Sequence, residues 1–244
     1  MYRPNFTITS EILNHIAEIS ASREVILNAP LLPKWEVKLK KEAIMKMAHH
    51  STSIEGNKLT LDEVNRLLRG EEIAAWEKDK KEVLGYVKVL EYIDKLGEEG
   101  ADTITEDIVL KIHRLNTQGT LPDSEAGHYR TVQVAVVNGL GRVTFQPPEA
   151  SHIPSLMNGF IAWLNSKEAK ELYTVLVSGI VHYEFVWIHP FVDGNGRTAR
   201  ALATLILYLR GFDTKRFLHW MNIIMKSAAD TTQHCKPLIL EQLR

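Results

Sequence analysis

Twelve consecutive residues hold the densest set of reactive side chains in this chain: His189-Pro190-Phe191-Val192-Asp193-Gly194-Asn195-Gly196-Arg197-Thr198-Ala199-Arg200. They bring together an imidazole, a carboxylate, a Gly-Asn-Gly turn and two guanidinium groups. Glycine adopts backbone angles closed to other residues, so successive amide N–H groups around Gly194 and Gly196 can converge on an anion. Where a helix begins, its free amides and partial positive charge add to that attraction. Phosphate is the common biological anion held in this way. The competing reading of these residues alone is an ordinary turn between two helices.

The arginines count against the ordinary turn. Arg197 and Arg200 are three residues apart, share one helical face, and can each grip phosphate oxygens through a planar fork of donors. Turn, helix start and arginine pair together suit a polyphosphate. Asp193 would repel such a ligand unless a cation lies between them, and magnesium bound by one carboxylate and phosphate oxygens resolves that conflict. A helix-capping aspartate is the alternative for Asp193. His189, whose ordinary pKa lies near neutrality, is the candidate general base. His49, His50, His113 and His182 read as structural. A zinc site from His182 and His189 is weak, because too few further neutral ligands are nearby.

The elements that must position this stretch are helical. Apolar runs over 172–188 and 201–209 predict a helix on each side of the loop. Upstream, residues 1–8 read as an extended arm. Ser10 then caps a helix carrying Ile12, Leu13, Ile16 and Ile19 at helical spacing, closed by Pro30 and Pro33. A second helix is expected over 35–54, ending near Gly56. Thr60 and Glu63 form a capping box for a third helix through Leu68. A long helix over 73–96 follows, then a shorter one opened by Thr105. The pattern changes at 131–137, a β-branched run, followed by the Asn138-Gly139-Leu140-Gly141 turn and a return over 142–145. The expected class is mainly α with one inserted β-hairpin.

Bulk properties set the outer limits. A chain of 244 residues with 45% hydrophobic content can bury a full core. A formal net charge of −1 gives no electrostatic reason to bind nucleic acid or a membrane surface. The single cysteine, Cys235, leaves no internal disulfide. With neither a signal pattern nor a membrane-length apolar window, the expected location is cytoplasmic.

The twelve-residue segment resembles the signature of the Fic family of nucleotidyltransferases, His-x-Phe-x-(Asp/Glu)-Gly-Asn-Gly-Arg-x-x-Arg, and matches every fixed position. Gly127-His128-Tyr129-Arg130-Thr131, the hairpin and Pro147-Pro148 resemble the family's flap. Ser51-Thr52-Ser53-Ile54-Glu55-Gly56 resembles its inhibitory motif, (Ser/Thr)-x-x-x-Glu-(Gly/Asn). The resemblance covers residues 35–217 and implies three parts: an N-terminal helical region with the inhibitory motif over 1–70, a catalytic core over 71–217, and a divergent tail over 218–244. That tail lacks the Tyr-bearing helix that relatives use to contact the base and ribose.

The resemblance implies transfer of AMP from ATP to a Ser, Thr or Tyr hydroxyl of a target protein that the sequence does not identify. It makes His189 the base, Asp193 the Mg²⁺ ligand, and Gly194, Asn195, Gly196, Arg197 and Arg200 the phosphate-binding residues, with Phe191 anchoring the loop. Flap residues Thr131, Val134 and Val136 would dock an extended target segment by strand addition. Glu55 would pair with Arg200 and hold the enzyme off, supported by Ser51 and Asn57. Removal of AMP by a phosphodiesterase reaction and a non-catalytic nucleotide-sensing module are the alternative readings. The Doc type, which phosphorylates its target, carries Lys where this chain has Gly196. A homodimer is compatible with the resemblance.

Overall fold

The computed structural model describes residues 2–28, 30, 33–137 and 140–212. Among these the elements run α1 (Ser10–Asn28), α2 (Pro33–Ser53), α3 (Leu61–Leu68), α4 (Glu77–Glu98) and α5 (Glu106–Thr117), then β1 (Val136–Val137) and β2 (Val143–Phe145). The chain continues through α6 (Ile153–Leu164), α7 (Lys167–Glu171), α8 (Thr174–Ile188) and α9 (Asn195–Leu209). The architecture is mainly α with one two-stranded antiparallel hairpin among the described residues. The tail expected over 218–244 lies outside them.

Helix α9 occupies the centre. Its Ala199, Ala201, Leu202, Ala203, Leu205 and Ile206 are buried, and it packs on α2, α4, α5 and α8. Small and aliphatic side chains around most of the helix are what allow four neighbours to approach it. Helix α4 is the second axis, meeting α2, α3, α5 and α9 through buried Val83, Tyr86, Val89, Leu90 and Ile93. Because α2 lies against both α4 and α9, its C-terminal end is carried to the start of α9.

Local capping decides where several helices begin. Thr60 Oγ1 accepts from the Glu63 amide at 3.3 Å while Glu63 Oε2 accepts from the Thr60 amide at 2.8 Å, the expected capping box. Thr105 caps α5 by accepting from the Ile108 amide. At α1 the cap is Thr9 rather than Ser10: Thr9 Oγ1 accepts from the Ile12 amide at 3.2 Å, and Ser10 is already helical. The long helix opens at Glu77, later than the apolar spacing from Ile73 suggested.

The hairpin is shorter than the β-branched run predicted. Val136 pairs with Phe145 and Val137 with Val143, while residues 131–135 lie outside the ladder. There, side chains satisfy the backbone instead: Gln146 Nε2 donates to the Val134 carbonyl at 3.2 Å, and Arg130 Nη1 donates to that of Val132 at 3.0 Å.

Candidate active site

Helix α8 stops at His189, whose φ of 51° and ψ of 59° place it in the left-handed region. Pro190 follows and cannot continue the helix. The chain then turns inward at Phe191, which is fully buried. Its ring stacks on His113 with centroids 3.6 Å apart and planes 5° apart. Asn195 closes the loop from the other side, accepting from the Phe191 amide and donating to the Phe191 carbonyl, both at 2.9 Å. The Asn195 side chain is therefore committed to the loop itself.

His113 supports the next step of the loop. The Gly127 amide donates to its Nδ1 at 2.9 Å, so Nε2 carries the proton and donates to the Asp193 carbonyl at 3.0 Å. Burial lowers its pKa to about 4, which keeps it neutral. This matches its reading as a structural histidine. His182 is likewise lowered to about 4, by burial and by the Arg200 charge.

At His189 the Nδ1 atom lies 3.1 Å from the Val186 carbonyl oxygen. A carbonyl only accepts, so the neutral ring is protonated on Nδ1 and keeps its lone pair on Nε2. Burial is the main cause that lowers the His189 pKa, and the Arg130 charge adds to it. Both effects favour the neutral form, the one able to take a proton.

Gly194 caps α9 at φ 73° without a side chain to occupy the first amides. The start of α9 therefore presents backbone donors to an anion. A Cβ at Gly194 would come within 2.7 Å of Thr117 Cγ2, so the loop is closed against α5. Asp193 is about half exposed, with Oδ1 accepting from the Gly194 amide at 2.7 Å and Oδ2 3.7 Å from Arg197 Nη2. One solvent-facing carboxylate beside an anion-binding turn suits Mg²⁺ held jointly with phosphate oxygens. Among the described residues no group of three or more His, Cys, Asp or Glu is placed to hold a metal by itself.

The two arginines are buried, and Glu55 spans them. Arg197 Nε donates to Glu55 Oε2 and Arg200 Nη2 to Glu55 Oε1, each at 2.8 Å. The carboxylate expected to pair with Arg200 thus engages Arg197 as well. Gly196 makes room for it: a Cβ there would sit 2.4 Å from Glu55 Oε1. Ser51 touches Arg200 rather than Glu55, its Oγ accepting from Nε at 2.9 Å and its carbonyl from Nη2 at 2.7 Å. Asn57 also stands away from Glu55, donating through Nδ2 to Glu82 Oε2 and to the Asp79 carbonyl, both at 2.9 Å.

Glu82 is the residue that sequence reasoning missed. It is buried on α4, with Oε1 3.6 Å from Arg197 Nη1. It sits in the run Glu77-Lys78-Asp79-Lys80-Lys81-Glu82, which looks like a solvated helix face and carries no signal of burial. Flap residues Thr131, Val134 and Val136 lie on the hairpin's first leg, Thr131 exposed and the two valines half-buried.

The described residues thus combine a helical bundle, a histidine-bearing loop at a helix start, a hairpin beside it and a carboxylate across two arginines. Residues 103–207 match the model of the Fic/DOC family, and the chain belongs to that family. It is 36% identical over 178 residues to the protein adenylyltransferase Fic of Nematostella vectensis, covering 70% of this chain and 39% of that protein. The Aedes aegypti protein of the same name is 36% identical over 174 residues, covering 70% of this chain and 34% of the relative. The chain thus spans about two fifths or less of the length of these relatives. Among solved structures it resembles a Fic family protein from Desulfovibrio desulfuricans, with TM-score 0.79 and 29% identity over 99% of this chain and 70% of that one. Fic-1 from C. elegans gives TM-score 0.69 and 28% identity, covering 83% and 60% respectively. None of the helices among the described residues is long and apolar enough to cross a membrane.

Proposed function

We propose that this chain transfers AMP from ATP to a Ser, Thr or Tyr hydroxyl of a target protein, and that Glu55 holds the activity down. The carrying observation is that a base-ready imidazole and an open helix start share one loop, while the arginines behind that loop are bridged by Glu55. His189 Nε2 takes the proton of the incoming hydroxyl. The hydroxyl oxygen then bonds to the α-phosphorus, and the bond from that phosphorus to the bridging oxygen breaks. Pyrophosphate leaves with the electron pair. The amides opening α9 hold the α-phosphate oxygens, and Arg197 and Arg200 hold the outer phosphates. Mg²⁺ at Asp193 would neutralise phosphate charge.

Gly196 favours this reading over target phosphorylation, because it stands where the Doc type carries lysine; a Cβ at this position would lie 2.4 Å from Glu55 Oε1. The phosphodiesterase reading needs Glu55 to activate water. Both of its oxygens are engaged by arginine, which counts against that role. Incubation of the parent and Glu55→Gly chains with Mg²⁺ and ATP labelled separately on the α and γ phosphates tests the assignment. Covalent α-label, faster in the variant, is the expected result. Covalent γ-label overturns it, and so does release of AMP from a modified protein that depends on Glu55.

A further inference from the structure

The flap and the histidine loop are distant in sequence, and one side chain joins them. Arg130 is 3% exposed and stands where the chain enters the hairpin. Its backbone amide donates to the Pro190 carbonyl at 2.9 Å. Its guanidinium donates through Nε to the His189 carbonyl at 2.8 Å, through Nη1 to the Val132 carbonyl at 3.0 Å, and through Nη2 to the Pro148 carbonyl at 2.5 Å. Val132 lies on the leg entering the flap and Pro148 on the leg leaving it. Three edges of one rigid plane therefore fix both legs of the hairpin and the residue that carries the imidazole.

His189 needs such a hold. It is the one non-glycine residue with positive φ among those described. An L-residue stays in that conformation only when its surroundings fix it. The Arg130 bond to its carbonyl is one of the few constraints acting on that peptide from outside the loop.

We infer that Arg130 is a positioning residue that sets the flap and the His189 imidazole in one frame, so that an extended target segment added to the flap brings its hydroxyl to Nε2. This rests on the AMP-transfer reading above. The geometry of the fork matters more than its charge. Lysine keeps the charge, but its ammonium is a compact point that cannot reach three carbonyls lying around a plane.

Arg130→Lys and Arg130→Gln, each combined with Glu55→Gly, test this. Amide hydrogen exchange is followed over 131–137 and 189–191, and affinity is measured for a non-hydrolysable ATP analogue with Mg²⁺. Both segments should exchange at least tenfold faster in both variants, with exchange in α4 and α9 unchanged and analogue affinity within twofold. In labelling with α-labelled ATP, kcat should fall at least tenfold while KM for ATP holds. Loosening of the flap without loosening of 189–191 overturns the coupling. A loss of analogue affinity in step with faster exchange throughout α4 and α9 also overturns it, since that marks general damage to the fold. Exchange and analogue binding need no turnover. A chain that labels nothing would therefore sink the AMP-transfer reading while the coupling is judged separately.

Discussion

Glu55 Oε1 and Arg200 Nη2 stand 2.8 Å apart although the residues are 145 positions apart in the chain. The second Glu55 oxygen is held equally closely by Arg197. A charge-assisted hydrogen bond contributes about 1.5–3 kcal/mol, so two of them represent roughly two to four decades of equilibrium before other costs are counted. The two arginines differ in what remains without Glu55. Arg197 keeps Glu82 at 3.6 Å and Asp193 at 3.7 Å, whereas Arg200 keeps Ser51, a neutral partner on the same helix end as Glu55. Withdrawal of Glu55 thus changes Arg200 more than Arg197.

Glu55→Gly should accordingly raise the affinity for an ATP analogue by about tenfold, and the α-label transfer rate by more. On the proposed reading the rate responds more strongly, since a triphosphate admitted past Glu55 would be misplaced as well as weakened. Calorimetry with the analogue and initial rates of label incorporation measure the two separately. Equal rates in parent and variant would show that the Glu55 bridge is structural only.

As the proposed base, His189 is expected to set the pH dependence. Its folded pKa is lowered by burial, so the neutral, proton-accepting ring persists below the ordinary value of about 6.5. The profile of kcat/KM for Glu55→Gly should rise with pH on an acid limb centred below that value and be flat through neutrality. His189→Ala should lower kcat by about two to four decades with analogue binding retained. An acid limb centred above 6.5 would contradict the burial argument.

The sequence made some of this site plain and concealed the rest for physical reasons. The loop was legible because its parts are local: Gly194 at positive φ, an abrupt end to α8 at His189-Pro190, and Arg197 and Arg200 on one helical face. Capping at Thr60 and Thr105 was legible for the same reason. The pairing of Glu55 with Arg200 of α9 depends on how α2 packs, and only the family resemblance pointed to it. Glu82 was hidden because a carboxylate buried by a distant arginine looks, in sequence, like any charge on a helix. The flap strand was drawn too long because β-branched residues suit an extended chain whether or not a partner strand is present. Here side chains of Arg130 and Gln146 take the carbonyls a partner strand would have used.

His113 makes stability depend on pH. Its folded pKa is about 4, against about 6.5 in an unfolded chain. Below 6.5 the unfolded state binds a proton that the folded state refuses. The contribution of neutral His113 is therefore fully present above 6.5 and is lost as pH falls from there toward 4. The slope from this residue approaches about 1.4 kcal/mol per pH unit, and His182, shifted the same way, adds to it. Denaturant unfolding at several pH values should show a shallower slope over this window in His113→Gln than in the parent. An unchanged slope would place the proton uptake elsewhere.

Asn195 offers a test that separates the frame of the site from its chemistry. Its side chain satisfies both the amide and the carbonyl of buried Phe191, so Asn195→Ala leaves a donor and an acceptor stranded beside the His113 ring. Each stranded group costs about 1–3 kcal/mol, so a total loss of about 2–6 kcal/mol is expected, with a drop in Tm of roughly 4–24 °C for a chain of this size. Asn195→Asp keeps the acceptor and loses only the donor to the Phe191 carbonyl, but it places a carboxylate against that oxygen and beside the anion-binding turn. It should therefore hurt analogue affinity more than its loss of Tm would suggest. Scanning calorimetry and analogue binding on both variants decide the matter. If the alanine variant unfolds like the parent yet binds no nucleotide, then Asn195 acts on the ligand directly and not through the loop.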